Sequence, residues 1–230
     1  MSTATTNGAA TDSAVTNGAA TVATRSITEV EREVWRLCHD LAARLQFHGW
    51  HHVSFVRDKA VHFARRNGSD VALVEVAALV HDVNYMVRRN SLPVDGRNLR
   101  LDILARAGVP GDVAARVDEV VEEAEMRTRH RDISPEAQAL SDADTLFKAL
   151  PVTPVVLAPR YLEENGITLR ELAHKIVGEQ RNKHDAGYYF YDPEAAATYS
   201  RWATANLELW SCIVESLDDP TVNDLLTAVS

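Results

Sequence analysis

The chain predicts an all-α fold, and three observations carry that prediction. From Thr28 onward apolar residues recur at spacings of three and four. The prolines fall mostly at the edges of these periodic runs. A single short stretch, Tyr188–Tyr191, reads as strand.

The elements follow in order. Thr28-x-x-Glu31 spells a capping box, and Val30, Val34, Leu37, Leu41 and Leu45 then form one apolar stripe. A second helix is predicted over 52–66, stopping at Asn67-Gly68, a C-cap signal. Ser69 or Asp70 caps the next, which continues through Val80. Further helices are predicted at about 96–107, 112–127, 135–150, 154–165, 168–182 and 193–217, with Pro110, Pro135, Pro151, Pro154, Pro193 and Pro220 at their edges. Tyr188–Tyr191 follows the polar run Gln180–Asp185. Its aromatics can stack on a base or close a pocket, but burial against the last helix with Trp202 and Trp210 is the stronger reading.

Composition narrows the function. The 230 residues carry 24 Lys+Arg against 33 Asp+Glu, a net charge of −9. That balance argues against a nucleic-acid or anionic-membrane partner, which needs clustered cations, while leaving room for a basic pocket that takes a small phosphorylated ligand. Cys38 and Cys212 form no CxxC pair, so neither a disulfide scaffold nor a thiolate zinc site is expected; two free thiols in the reducing cytoplasm are. No apolar run approaches the roughly 18 residues that span a bilayer. Residues 1–25 are rich in Ala, Thr, Ser, Asn and Gly, repeat TNGAAT at 6–11 and 16–21, and lack the pattern of a secretory signal. They are predicted to be a disordered tail. Residues 26–230 are then one all-helical domain.

The segment Val71–Val80 is apolar nearly all round, with Glu75 its only charge, which places it in the middle of a bundle. It runs directly into His81-Asp82. An imidazole and a carboxylate at the end of a buried helix need a partner, and a metal ion serves both; the alternative is that the helix ends at the surface and the pair simply caps it. Two other segments supply more ligands of the same kind. His48-Gly-Trp-His51-His52 opens the second helix, and Asp142-Ala-Asp144 lies inside the otherwise apolar helix of 135–150. Imidazole and carboxylate together, without thiolate, suit borderline and harder divalent ions.

His48-Gly-Trp50-x-His52, Glu75-Val-Ala-Ala-Leu-Val-His81-Asp82 and Asp142-Ala-Asp144-x-Leu146, in that order, resemble the HD superfamily of metal-dependent phosphohydrolases. The resemblance spans about residues 48–150 and implies an HD-domain-like helical bundle, with residues 151–230 as a C-terminal helical extension. It implies metal ligands at His52, His81, Asp82 and Asp144, with Asp142 as a neighbour. It also implies that Asp82 orients the attacking water. The expected cofactor is one divalent ion, Mn, Fe, Co, Ni or Zn rather than Mg, which polarises water and stabilises charge at phosphorus.

The chain also departs from the family. Tyr85 stands where nucleotidase-like members have a glutamate, Phe55 replaces a frequent arginine, and Phe147 replaces an aspartate. No carboxylate before Asp95 and no histidine before His130 follows the His-Asp pair, which favours a single metal. Substrate contacts come from spacing: Lys148 lies one helical turn beyond Asp144, and Lys59 two turns beyond His52. Arg88 and Arg89 follow the central motif. His130 sits where related sequences place a histidine near the pocket, and with Lys148 it is a candidate catalytic group. The expected activity is hydrolysis of a phosphate ester of a small metabolite, a nucleotide among them. The alternatives are an HD-type iron-dependent oxygenase and a non-catalytic metal-containing regulator. Assembly as a homo-oligomer is left open.

Overall fold

A computed structural model describes residues 22–229, and among them there is no strand. The order is α1 (Thr24–Asp40), α2 (Trp50–Asn67), α3 (Val71–Val80), the short α4 (Val83–Val87), a 3-10 turn (Pro93–Gly96), α5 (Arg97–Arg106), α6 (Gly111–Glu123) and α7 (Pro135–Ala149). A single turn of π geometry (Thr153–Leu157) then leads into α8 (Ala158–Asn165), α9 (Leu169–Asp185), α10 (Pro193–Ser216) and α11 (Pro220–Val229). No described helix is long and apolar enough to cross a membrane.

The core is organised around α3, against which α1, α2, α6 and α7 all pack. Val74 and the run Val76–Val80 are fully buried, as an all-apolar helix requires. Its start is set by Asp70, whose carboxylate accepts from the N–H groups of Ala72 at 3.0 Å and Leu73 at 3.1 Å. The preceding helix stops where Asn67-Gly68 predicts, with Gly68 at φ 76° and its N–H on the Ala64 carbonyl. Next, α2 lies along α7, and α7 is covered by α10, which also packs on α9. Asn206 of α10 donates to the carbonyls of Lys148, Ala149 and Leu150 and so satisfies the end of α7. Cys38 is a buried free thiol and Cys212 an exposed one.

Three sequence expectations need correction. Of the predicted tail 1–25, residues 1–21 lie outside the described residues, but Val22 is buried and Thr24 and Arg25 already belong to α1. The stripe of Val30, Val34 and Cys38 extends back through buried Ser26, so the helix gains a turn. Thr28 is therefore inside the helix, its hydroxyl donating to the Thr24 carbonyl at 3.2 Å, and the Thr28–Glu31 capping box does not form. Nor is Tyr188–Tyr191 a strand. Its neighbouring peptide N–H groups are claimed by a side chain, Asp142, which accepts from Tyr191 at 2.8 Å and Asp192 at 2.6 Å. Tyr189 and Phe190 are buried, in line with the packing reading, with Phe190 6.3 Å from Tyr199 and Tyr199 5.2 Å from Trp202.

One ion pair is fully enclosed. Arg100 of α5 is 0% exposed and donates to Asp118 of α6 through Nε at 2.8 Å, while its Nη1 reaches the Pro93 carbonyl at 3.3 Å. Arg97 adds a second contact to Asp118 at 3.0 Å. Removing the carboxylate leaves a buried guanidinium without its counter-charge. Asp118→Ala is predicted to lose about 3–5 kcal/mol in urea unfolding, against under about 1 kcal/mol for removal of an exposed pair such as Arg32–Glu29.

His184 supplies a pH signature. Burial against Tyr189, whose ring it stacks on at 3.8 Å, holds its pKa down to about 4. The unfolded chain takes up that proton near pH 6.5, and the folded chain only near 4. Stability is therefore predicted to fall as pH drops through this window, and His184→Phe to flatten the slope in unfolding curves between pH 4 and 7.

Candidate metal centre

Three elements deliver the site. His52 is the third residue of α2, His81 caps the C-terminal end of α3, Asp82 precedes α4, and Asp144 projects from the middle of α7. His52 Nε2 lies 2.8 Å from Asp82 Oδ2, 3.0 Å from His81 Nε2 and 3.7 Å from Asp144 Oδ1. His81 Nε2 is 3.1 Å from the same Asp82 oxygen. Among the described residues, His52, His81 and Asp82 form a group whose donor atoms all lie within 4.8 Å of one another.

These separations suit a common ion. Metal–ligand bonds of about 2.0–2.2 Å put neighbouring ligand atoms about 3 Å apart. The orientation of His81 agrees as well: its Nδ1–H donates to the Ala78 carbonyl at 2.7 Å, which leaves the Nε2 lone pair aimed at the other three groups. Fully buried His52 is packed between Phe47 and Phe147, with ring centroids at 5.9 and 4.4 Å. Burial lowers its pKa to about 4 despite Asp82, so the imidazole stays neutral. Burial alone would neutralise the carboxylates. The histidines instead hold Asp82 well below the usual range, and Lys148 and His52 do the same for Asp144. His52 is thus already in the state a divalent cation needs, whereas Asp82 and Asp144 raise the pKa of His81 against its burial, so a cation would displace a proton there.

His81, Asp82 and Asp144 border a cavity that also takes in Lys148, Tyr85, Tyr161 and an ionic cluster, with His52 buried behind them. Lys148 Nζ sits 2.5 Å from Asp144 Oδ2, and the carboxylate raises its pKa in spite of burial. In the cluster, Arg127 is 3.0 Å from Glu179 and 3.8 Å from Glu125, and Lys175 is 4.0 Å from Glu179. Neither Tyr85 nor Tyr161 has a hydrogen-bond partner for its hydroxyl among the described residues. Burial raises both pKa values, so both remain donors.

The structure thus brings together His52, His81, Asp82, Asp144 and Lys148, but not the other candidates. Lys59 stands over the Phe55 ring at 5.9 Å and does not line the cavity; seven residues along α2 displace it about 10 Å from His52. Arg88 is exposed and paired with Asp95 at 2.6 Å, and Arg89 is exposed too. His130 is also exposed and outside the cavity, because α6 ends at Glu123 and the following turn sends Arg127 inward instead. Asp142 proves structural: burial lifts its pKa to about 7 while it holds the 191–192 backbone. Arg127, Lys175, Glu179 and Glu164 escaped sequence reasoning, since they lie in amphipathic segments where charges look like solvent-facing ones.

The sequence matches no protein-family model. It is 33% identical over 103 residues to the uncharacterized protein YpgQ of Bacillus subtilis, a match that takes in 43% of this chain and 50% of the relative. The chain thus spans about half the length of the curated relative it matches. A crystal structure of a Lactobacillus plantarum protein superposes with a TM-score of 0.64 at 19% identity, covering 86% of this chain and 99% of that one. The crystal structure of B. subtilis YpgQ in complex with ADP gives 0.51 at 19% identity, with 86% and 99% covered. These likenesses show the all-α fold.

The geometry predicts about one divalent ion per chain in untagged protein, measured by elemental analysis. His81→Ala and Asp82→Ala should each lose most of it. Unchanged metal content in both variants would contradict the assignment.

Proposed function

We propose that the protein is an HD-type, metal-dependent phosphohydrolase acting on a small phosphorylated metabolite, with nucleotides the favoured class. The observation that carries this reading is the meeting of His52, His81, Asp82 and Asp144 from three separate elements, the last three of them at one wall of a cavity. The ADP complex of YpgQ supports the nucleotide class.

Charge supports a phosphate ligand once the cation is counted. Three cations (Arg127, Lys148 and Lys175) and four carboxylates (Asp82, Glu125, Asp144 and Glu179) line the cavity, an excess of one negative charge. A divalent ion held by His52, His81, Asp82 and Asp144 would reverse that sign, lower the pKa of water and stabilise charge on a phosphoryl oxygen. Asp82 lies where it can accept a hydrogen bond from the attacking water. Lys148, held by Asp144, stands ready to compensate the phosphate. Arg127 and Lys175, restrained by Glu179, take over the role that Lys59, Arg88 and Arg89 were expected to fill. The hydroxyls of Tyr85 and Tyr161 donate to substrate oxygens. Hydrolysis forms a bond from water oxygen to phosphorus and breaks the bridging P–O bond, and the leaving oxygen gains a proton. No redox step is needed, and Phe47 and Phe147, packed on His52, form an apolar wall behind that ligand.

The test is phosphate release from nucleotides, sugar phosphates and phosphonates with Mn, Co, Ni, Mg or Fe. Release should depend on added metal, fall by at least about 100-fold in Asp82→Ala, and show a KM raised about tenfold in Arg127→Ala. Protein that holds its metal but releases phosphate from none of these compounds would contradict the proposal.

A further inference from the structure

The wall beside the metal ligands contains a histidine with no task in the scheme above. His48 is 4% exposed, lies one turn before His52 in sequence and lines the same cavity. Its Nδ1 makes a short hydrogen bond to Glu164 Oε1. The other oxygen of Glu164 accepts from the backbone N–H groups of Phe47 at 2.6 Å and His48 at 3.1 Å. Glu164 is itself 3% exposed. The His48 ring lies flat on Tyr85, with centroids 3.5 Å apart and 9° between the planes.

These contacts determine where the imidazole proton sits. Burial works against the charge on Glu164, but His48 and the two N–H groups outweigh it and keep the carboxylate ionised. An ionised carboxylate only accepts, so Nδ1 of His48 donates to it, and Nε2 is the ring nitrogen that this contact leaves free. Nε2 has no hydrogen-bond partner among the described residues. It is also not among the donor atoms that converge on His52, His81 and Asp82. The two backbone bonds would suffice to fasten the 47–48 segment to α8. Closing the second carboxylate oxygen onto the ring does something more: it fixes which ring nitrogen, Nε2, stays available on a residue that lines the cavity.

We propose that Glu164 and His48 form a carboxylate–imidazole dyad of this site. His48 is a catalytic residue whose Nε2 accepts a hydrogen bond from the attacking water and aims the water at phosphorus. Glu164 is the positioning residue that fixes the tautomer and the ring plane. The proposal rests on the phosphohydrolase reading for its water, and on this chain's own contacts for the dyad.

Two variants of the full chain separate this role from a structural one. Glu164→Gln keeps an oxygen for the two backbone N–H groups but turns an amide NH2 toward Nδ1, which moves the ring proton to Nε2 and blocks the acceptor. His48→Asn keeps a donor for Glu164 and removes Nε2 altogether. With ADP and Mn²⁺ as probe, each should lower kcat by about 10²–10⁴-fold, with KM changed by less than about threefold and metal content unchanged. Nitrogen-15 NMR of the Mg²⁺-loaded protein should show the His48 proton on Nδ1 in the wild type and on Nε2 in Glu164→Gln. Wild-type kcat in both variants would overturn the proposal. So would an Nε2 proton in the wild type, a readout that holds whether or not ADP is turned over. A metal-loaded wild type that hydrolyses nothing, yet shows the Nδ1 proton, would instead count against the phosphohydrolase reading and leave the dyad standing.

Discussion

The structure depends on how charge is accommodated at the end of its most apolar helix. Val76–Val80 have no exposed surface, and the chain passes from them straight into His81 and Asp82. Two ionised carboxylates and two imidazoles then share one buried space, an arrangement that is costly without mutual pairing. The geometry answers this with contacts of 2.8–3.1 Å among His52, His81 and Asp82. A carbonyl sets the tautomer of His81, and a lysine stands behind Asp144. Of the helices that pack on α3, α2 supplies His52 and α7 supplies Asp144.

The helix carrying Asp144 serves two sides at once. Asp142 and Asp144 are two residues apart, about 200° around a helix, so they face different neighbours. Asp144 reaches the cavity, while Asp142 holds the backbone of Tyr191 and Asp192. Arg129 reinforces that second face, donating to Thr145 at 3.0 Å and to the Tyr189 carbonyl at 2.8 Å. Asn206 closes the end of the same helix. The C-terminal helices are thereby part of the site. They hold α7 in place and bring Lys175 and Glu179 to the cavity.

Much of this was legible in the sequence. Period and proline placement located most helices, and Asn67-Gly68 and Asp70 fixed their ends because caps act through local hydrogen bonds. The His81-Asp82 pair stood out because charge at the end of an apolar helix is rare, whereas His52 and Asp144 were singled out from their neighbours by the resemblance to the HD superfamily. The substrate wall was not legible. Lys59 was chosen by helical spacing and His130 by its place in related sequences, whereas reach across the cavity depends on where α6 stops and how α8 and α9 fold back. Glu164 looked like any acid near a helix end, and only its contact with the backbone of residues 47 and 48 reveals it. The Thr28 capping box failed because a stripe can continue through small residues such as Ser26, which pattern reading treats as a boundary.

If His52, His81, Asp82 and Asp144 hold one divalent ion, anomalous diffraction from crystals of the full chain grown with Mn²⁺ will show a single strong peak among these four side chains, within about 2.0–2.3 Å of the two Nε2 atoms and the carboxylate oxygens. No peak there, or one at an unrelated surface position, would contradict it.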